Sequence, residues 1–198
     1  MSGDKEQQII KAAIHIFAER GLEKGRIADI AQEAGIGKGT VYEYFHSKEE
    51  IFAAIESSVI DEMMNQLEEL ISGELSPYEQ LEALLMHGID AMIGMGDAIL
   101  IMTELWAQAS RGLWHDSGNT FMEEAYDEYR IIIENILKSG VEASQFREMS
   151  YAGVATLVLA FMDGLIWQYM LVRDNEKFEF VKQEAIRSFM RGIRKDKL

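Results

Sequence analysis

One proline in 198 residues, and apolar side chains spaced by threes and fours rather than alternating, confine this chain to long helices. Ile10, Ala13, Ile14 and Phe17 form one helical stripe, and Gly21 ends that helix. Short helices follow from about Ile27 to Ala34 and from about Lys38 to Phe45. Ser47 and Glu50 form a capping box for a fourth helix running toward Ser72. Ser76, Pro77 and Glu79 combine a cap, a first-turn proline and a box-closing glutamate, and open a helix that ends near Gly94. Further helices are expected over 97–111, 119–140, 146–173 and 176–194. No useful length alternates with period two, so no strand is expected. The expected fold class is all-α: an N-terminal three-helix domain over residues 1–50 and a larger C-terminal helical domain over 51–198.

An apolar content of 48% is ample for a core. The absence of cysteine excludes disulfide scaffolds, thiolate metal sites and cysteine nucleophiles, and suits a reducing cytoplasm. The formal charge is −15 and is unevenly spread. Residues 1–52 carry seven basic and nine acidic side chains, net −2, whereas 53–198 carry 12 and 25, net −13. A polyanion can therefore approach only the first fifty residues. Met1 to Gln8 lack an apolar core, so no signal peptide is expected. Tyr151 to Val172 is long enough to span a bilayer, but Asp163 would sit mid-span at a cost of about 3 kcal/mol. A soluble helix covered on all sides fits the same pattern, and no membrane association is expected.

Residues 27–45, IADIAQEAGIGKGTVYEYF, carry the most specific signal. Ala31 is small where two helices cross, and Gly35 can take the left-handed conformation of a tight turn. Ile36 plugs the corner, while Ile30, Val41 and Phe45 supply a shared core. By its mechanics this is a helix-turn-helix, whose second helix enters a DNA major groove with its N-terminal end toward the bases. That end carries Lys38, Gly39 and Thr40: glycine permits close approach, and the flanking side chains donate to phosphate or base edges. Tyr42 and Tyr44 offer hydroxyls, and Lys48 lies on the same side.

With those residues in view, the stretch from about Ile9 to Ile55 resembles the DNA-binding domain of TetR-family bacterial transcriptional repressors. The resemblance is carried by Ala12, Phe17, Gly21, Ile30, Ala31, Ala34, Gly35, Lys38, Gly39, Tyr42, Phe45, Lys48 and Glu49. It implies Lys38, Thr40, Tyr42, Tyr44 and Lys48 as operator contacts. The chain departs from the pattern at Gly25 and Arg26, where such proteins usually have Ser or Thr, and at Gly37, where Ser is frequent. Hydroxyl caps are thus missing at both helices, and Arg26 is expected to replace a phosphate contact by charge.

Residues 56–198 match the family's ligand-binding half only in the order and length of helices. In the apolar helix, Val154, Leu157, Val158, Phe161, Met162 and Leu165 form one face, and Ala155, Leu159 and Ile166 another. Gly153, Ala160 and Gly164 permit close helix contact. One chain has too few helices to cover all of this, so a homodimer through about residues 146–195 is expected, completed by Phe180, Ile186, Phe189, Met190 and Ile193. Met102, Trp106, Trp114, Phe121, Met122, Tyr126, Tyr129, Trp167 and Tyr169 are bulky and adaptable. They suit either a small-molecule cavity or plain core. Glu104 and Asp163 share these apolar helices, and a buried carboxylate needs an internal Arg or Tyr partner or a cationic ligand. The expected ligand-binding set is Met102, Glu104, Trp106, Trp114, Phe121, Tyr126, Tyr129, Asp163 and Trp167. The four histidines are scattered, so no metal is expected. His87 and Asp90 could share a face, which is weak evidence for catalysis, and no cofactor fingerprint is present. The expectation is a cytoplasmic, dimeric, ligand-released repressor of a palindromic operator on double-stranded DNA. An all-helical enzyme using Glu104 and Asp163 is the alternative.

Overall fold

The computed structural model describes residues 2–71, 74–110, 121–172 and 175–195. Among them the regular elements are nine helices: α1 Ser2–Lys24, α2 Ile27–Glu33, α3 Lys38–Tyr44, α4 Lys48–Ile71, α5 Pro77–Gly94, α6 Ala98–Ser110, α7 Phe121–Glu142, α8 Tyr151–Val172 and α9 Asn175–Ile193. The expected all-α class holds. The sole sheet-like feature among the described residues is an isolated bridge between Phe146 and Arg194.

The chain packs as two compact units, one of Met1–Glu62 with Met95–Phe121, the other of Met63–Gly94 with Met122–Leu198. Helix α6 therefore packs with the N-terminal helices, which a division at residue 50 does not anticipate. That division remains one of proposed function.

In the first unit, Gly21 has φ 72° and breaks α1 where the sequence places its end. The stripe on α1 keeps its period but not its expected phase. Ile9, Ala12, Ala13, Ile16 and Phe17 are buried, while Ile10 and Ile14 lie at the edge. Periodicity fixes spacing, whereas the neighbouring helices select which adjacent stripe is covered. Phe17 meets Phe52 edge to face at 5.8 Å. The α2–α3 turn is a Schellman motif. Gly35 has φ 64°, its N–H donates to the Gln32 carbonyl at 3.1 Å, and the Ile36 N–H donates to that of Ala31 at 3.0 Å. Arg26 and Gly37 precede α2 and α3 with extended backbones and no side-chain cap. Gly25 has a steric reason: a Cβ there would lie 2.6 Å from the Phe17 ring, so the hydroxyl residue usual in the family cannot fit.

His15 on α1 lies 3.2 Å from the Asp97 carboxylate just before α6. That hydrogen bond, aided by the charges of Glu33, Asp97 and Glu19, raises the imidazole pKa against a smaller opposing desolvation. A raised folded-state pKa stabilises the fold fully below the ordinary imidazole value of 6.5 and ceases to do so as pH rises through the folded value. Urea midpoints measured across neutral pH should therefore show a component falling with rising pH. His15→Asn should remove that component, and an unchanged profile would assign it elsewhere.

In the second unit, both capping residues of α5 act as expected. The Ser76 N–H donates to Glu79 Oε2 at 2.8 Å and the Glu79 N–H donates to Ser76 Oγ at 3.4 Å. The Ser76 hydroxyl, which donates to Glu79 Oε2 at 2.7 Å, and then the Ser76 N–H lower the Glu79 pKa. Helix α8 starts at Tyr151 rather than at 146, because Ser150 caps it, with its Oγ accepting the Gly153 N–H at 3.3 Å. Phe146 instead turns inward, 1% exposed, over Gly140. Within the chain α8 buries Ala155, Val158, Leu159, Met162, Leu165 and Ile166. Leu157, Trp167 and Leu171 remain exposed, as does Phe180 of α9. Tyr151–Leu171 is long and apolar enough to cross a membrane, yet only 33% of its apolar window is buried in the chain. Of the α9 residues expected at a dimer face, Ile186, Met190 and Ile193 serve this chain's own core, while Phe189 stacks on Phe161 at 5.6 Å.

Candidate nucleic-acid interface and ligand cavity

Helix α3 has two chemically opposite sides. Val41 and the following Phe45 are buried, anchoring it on the unit's core. Lys38 and Gly39 are exposed, Tyr42 is 42% exposed, and Thr40 and Tyr44 are half-buried. A Cβ at Gly39 would meet nothing within 4 Å, so this part of the backbone is open to a duplex. The Lys38 ammonium stands 5.5 Å from the centre of the Tyr42 ring, one helical turn on. The Arg26 side chain is exposed and makes no hydrogen bond or ion pair among the described residues.

Lys48 differs from the others. Its Nζ donates to the Leu22 carbonyl at 2.8 Å and to that of Glu23 at 2.9 Å. Two of three ammonium donors are committed to the end of α1, leaving one for a phosphate. Lys48 thus fastens the start of α4 to α1, a role its sequence position alone did not reveal.

The expected ligand residues are only partly brought together. Tyr126 donates its hydroxyl to Asp163 Oδ2 at 3.0 Å, giving the carboxylate the tyrosine partner its burial requires. Burial pushes the Asp163 pKa up, and the Tyr126 bond partly offsets that. The Tyr129 phenol reaches toward the Met63 carbonyl at 3.5 Å, and burial pushes its pKa up to about 12. A cavity of about 60 Å³ lies among α4, α5 and α7, lined by Met63, Gln66, Leu67 and Leu70, by Leu84, His87, Gly88 and Ala91, and by Tyr129. Tyr129 is the one expected ligand residue in that wall. Met102 is buried on α6, with Glu104 and Trp106 half-buried beside it in the first unit. Trp167 lies on the exposed side of α8. Phe121 opens α7, and Trp114 lies outside the described residues. Small Ala91 on α5 was the available sign of room there, whereas the space beside Gly88 is taken by the Met162 methyl, 2.7 Å from where a Cβ would lie.

His87 and Asp90 do not pair: Asp90 accepts from Lys182, which is 1% exposed and also bonds Glu179 at 2.7 Å. Among the described residues no group of three or more His, Asp or Glu is placed to hold a metal.

Residues 9–55 match the family model of the bacterial regulatory proteins, tetR family. Over these residues, which are the helix-turn-helix described above and its flanking helices, the chain is similar to the DNA-binding domain of that family. It is similar to the HTH-type transcriptional repressor KstR2 of Rhodococcus jostii, with 28% identity covering 72% of this chain and 68% of that protein. Its fold is like that of FadR from Bacillus subtilis in complex with stearoyl-CoA, with TM-score 0.79, 20% identity and coverage of 94% and 98%. It is also like that of a candidate transcriptional regulator from Saccharomonospora viridis in complex with choline, with TM-score 0.80, 20% identity and coverage of 98% and 100%.

Proposed function

We propose that this protein is a dimeric repressor in the cytoplasm that holds a palindromic operator and releases it when a small amphipathic molecule enters the C-terminal domain. The observation carrying this reading is α3, with Val41 and Phe45 in the core while Lys38, Gly39 and Tyr42 face outward. The exposed apolar side of α8 supports a second copy, and a twofold dimer presents two such helices to successive turns of a duplex. Domain roles divide near residue 50, and α4, continuous from the first unit into the second, is the element able to carry coupling. Ligand and operator favour different dimer shapes, so each weakens the other by the same factor, about 1–3 kcal/mol.

Fluorescence anisotropy tests this with the chain's own promoter and a scrambled duplex. Preference for the promoter, lost when ligand is added, is the expected result. Equal affinity for both duplexes at moderate salt removes the reading. Arg26→Ala should weaken binding to every duplex and reduce the salt slope by about one phosphate's worth. An unaltered slope takes Arg26 out of the interface. One structural relative carries stearoyl-CoA and another choline, an anionic and a cationic ligand, so likeness alone leaves the sign of this chain's ligand open.

A further inference from the structure

We propose that the ligand is a small amphiphile with a cationic head, seated in a groove between α5 and α9 with its apolar part directed toward the inner cavity. This rests on the ligand-responsive reading above and narrows it. The groove holds about 550 Å³, within the range of about 300–1,000 Å³ typical of small-molecule sites, whereas the inner cavity is too small alone. Leu70 and His87 line both spaces, so the two adjoin. The floor is apolar, with Leu70, Met86 and Ile186, while α5 contributes Glu79, Glu82 and Asp90 to the same lining.

Charge selects the head group. Between Lys48 and Arg111 the sequence contains neither lysine nor arginine, so α5, and α4 beyond its first residue, supply no lysine or arginine. Arg187 is the cationic side chain in the lining, and it is bonded to Glu184. Nearby Lys182 is held by Asp90 and Glu179. The Glu82 side chain is exposed and makes no hydrogen bond or ion pair among the described residues. An anionic head would therefore meet carboxylates with each neighbouring cation already occupied. A cationic head would gain Glu82 as a partner, and an uncharged one would gain nothing from the rim.

Decyltrimethylammonium, decanoate and decanol, each below its aggregation limit, test this by isothermal titration against the full-length protein. The ammonium compound should bind at least about tenfold tighter than decanoate. Glu82→Gln should weaken it about threefold while leaving decanol unchanged, and Glu82→Lys should move the preference toward decanoate. Circular dichroism checks that both variants stay folded, which exposed Glu82 allows. Decanoate binding as tightly as the ammonium compound, ammonium binding indifferent to both substitutions, or no binding by any probe overturns the proposal. Operator release measured with the same probes separates the two levels. Release by decanoate alone overturns the head-group assignment and leaves the repressor reading standing. Specific operator binding that no ligand relieves takes away ligand control itself.

Discussion

Alanine at both Lys38 and Tyr42 should reduce affinity for the specific operator about a hundredfold while leaving the fold intact. Both side chains stand on the outward side of α3, away from buried Val41. Neither belongs to the core, so urea stability should stay within about 0.5 kcal/mol of the parent. The two effects should not add independently. The ammonium lies over the phenol ring, a contact worth about 0.5–1 kcal/mol at an exposed site, and either substitution alone frees the other side chain. Binding to scrambled DNA should fall less, since base contacts specify whereas phosphate contacts hold. Lys48→Ala should behave oppositely. It removes two hydrogen bonds to the end of α1, so thermal stability should fall, and affinity for all duplexes should drop alike. An α3 double variant that still selects its promoter would move the reading surface elsewhere.

Alanine at Gly140 should destabilise the protein by about 2 kcal/mol even though alanine favours helix over glycine by up to about 1 kcal/mol. A Cβ at this position would sit 2.0 Å from the Phe146 ring. That ring is fully buried, lies 6.1 Å from Tyr78, and is fixed by backbone bonds from Phe146 to Gly140 and from Arg147 to Ile193. Phe146→Ala should itself cost about 3–5 kcal/mol through the void it leaves. The double variant is the sharper test. With the ring gone the added methyl has room, so Gly140→Ala should cost nothing further in that background, and a urea-denaturation cycle would show strong coupling. Additive losses would mean that the glycine serves some purpose other than receiving the ring.

These positions show what could be read from the chain alone. The helix-turn-helix was legible because its signals are local: Gly35 at the turn, Ala31 at the crossing, and Ile30, Val41 and Phe45 at helical spacing. The caps at Ser47 and Ser76 were legible for the same reason, although the Glu50 carboxylate accepts the His46 N–H rather than that of Ser47. The partner of Asp163 was foreseen in kind, as Arg or Tyr, but Tyr126 lies 37 positions away and no spacing rule selects it. Phe146 looked like the start of a helix because its apolar character says that it is buried, not how. The cavity was missed because three helices far apart in the chain enclose it, and no spacing rule brings their residues together.

The open side of α8 has a consequence for control of gene expression. If two copies pair over this side as proposed, a subunit with Leu157, Trp167 and Leu171 exposed is incomplete until another copy arrives. The population of competent repressor then grows with the square of the number of chains when chains are scarce. A modest change in synthesis or dilution at cell division would swing promoter occupancy more steeply than the change itself, giving the cell a threshold before any small molecule is sensed.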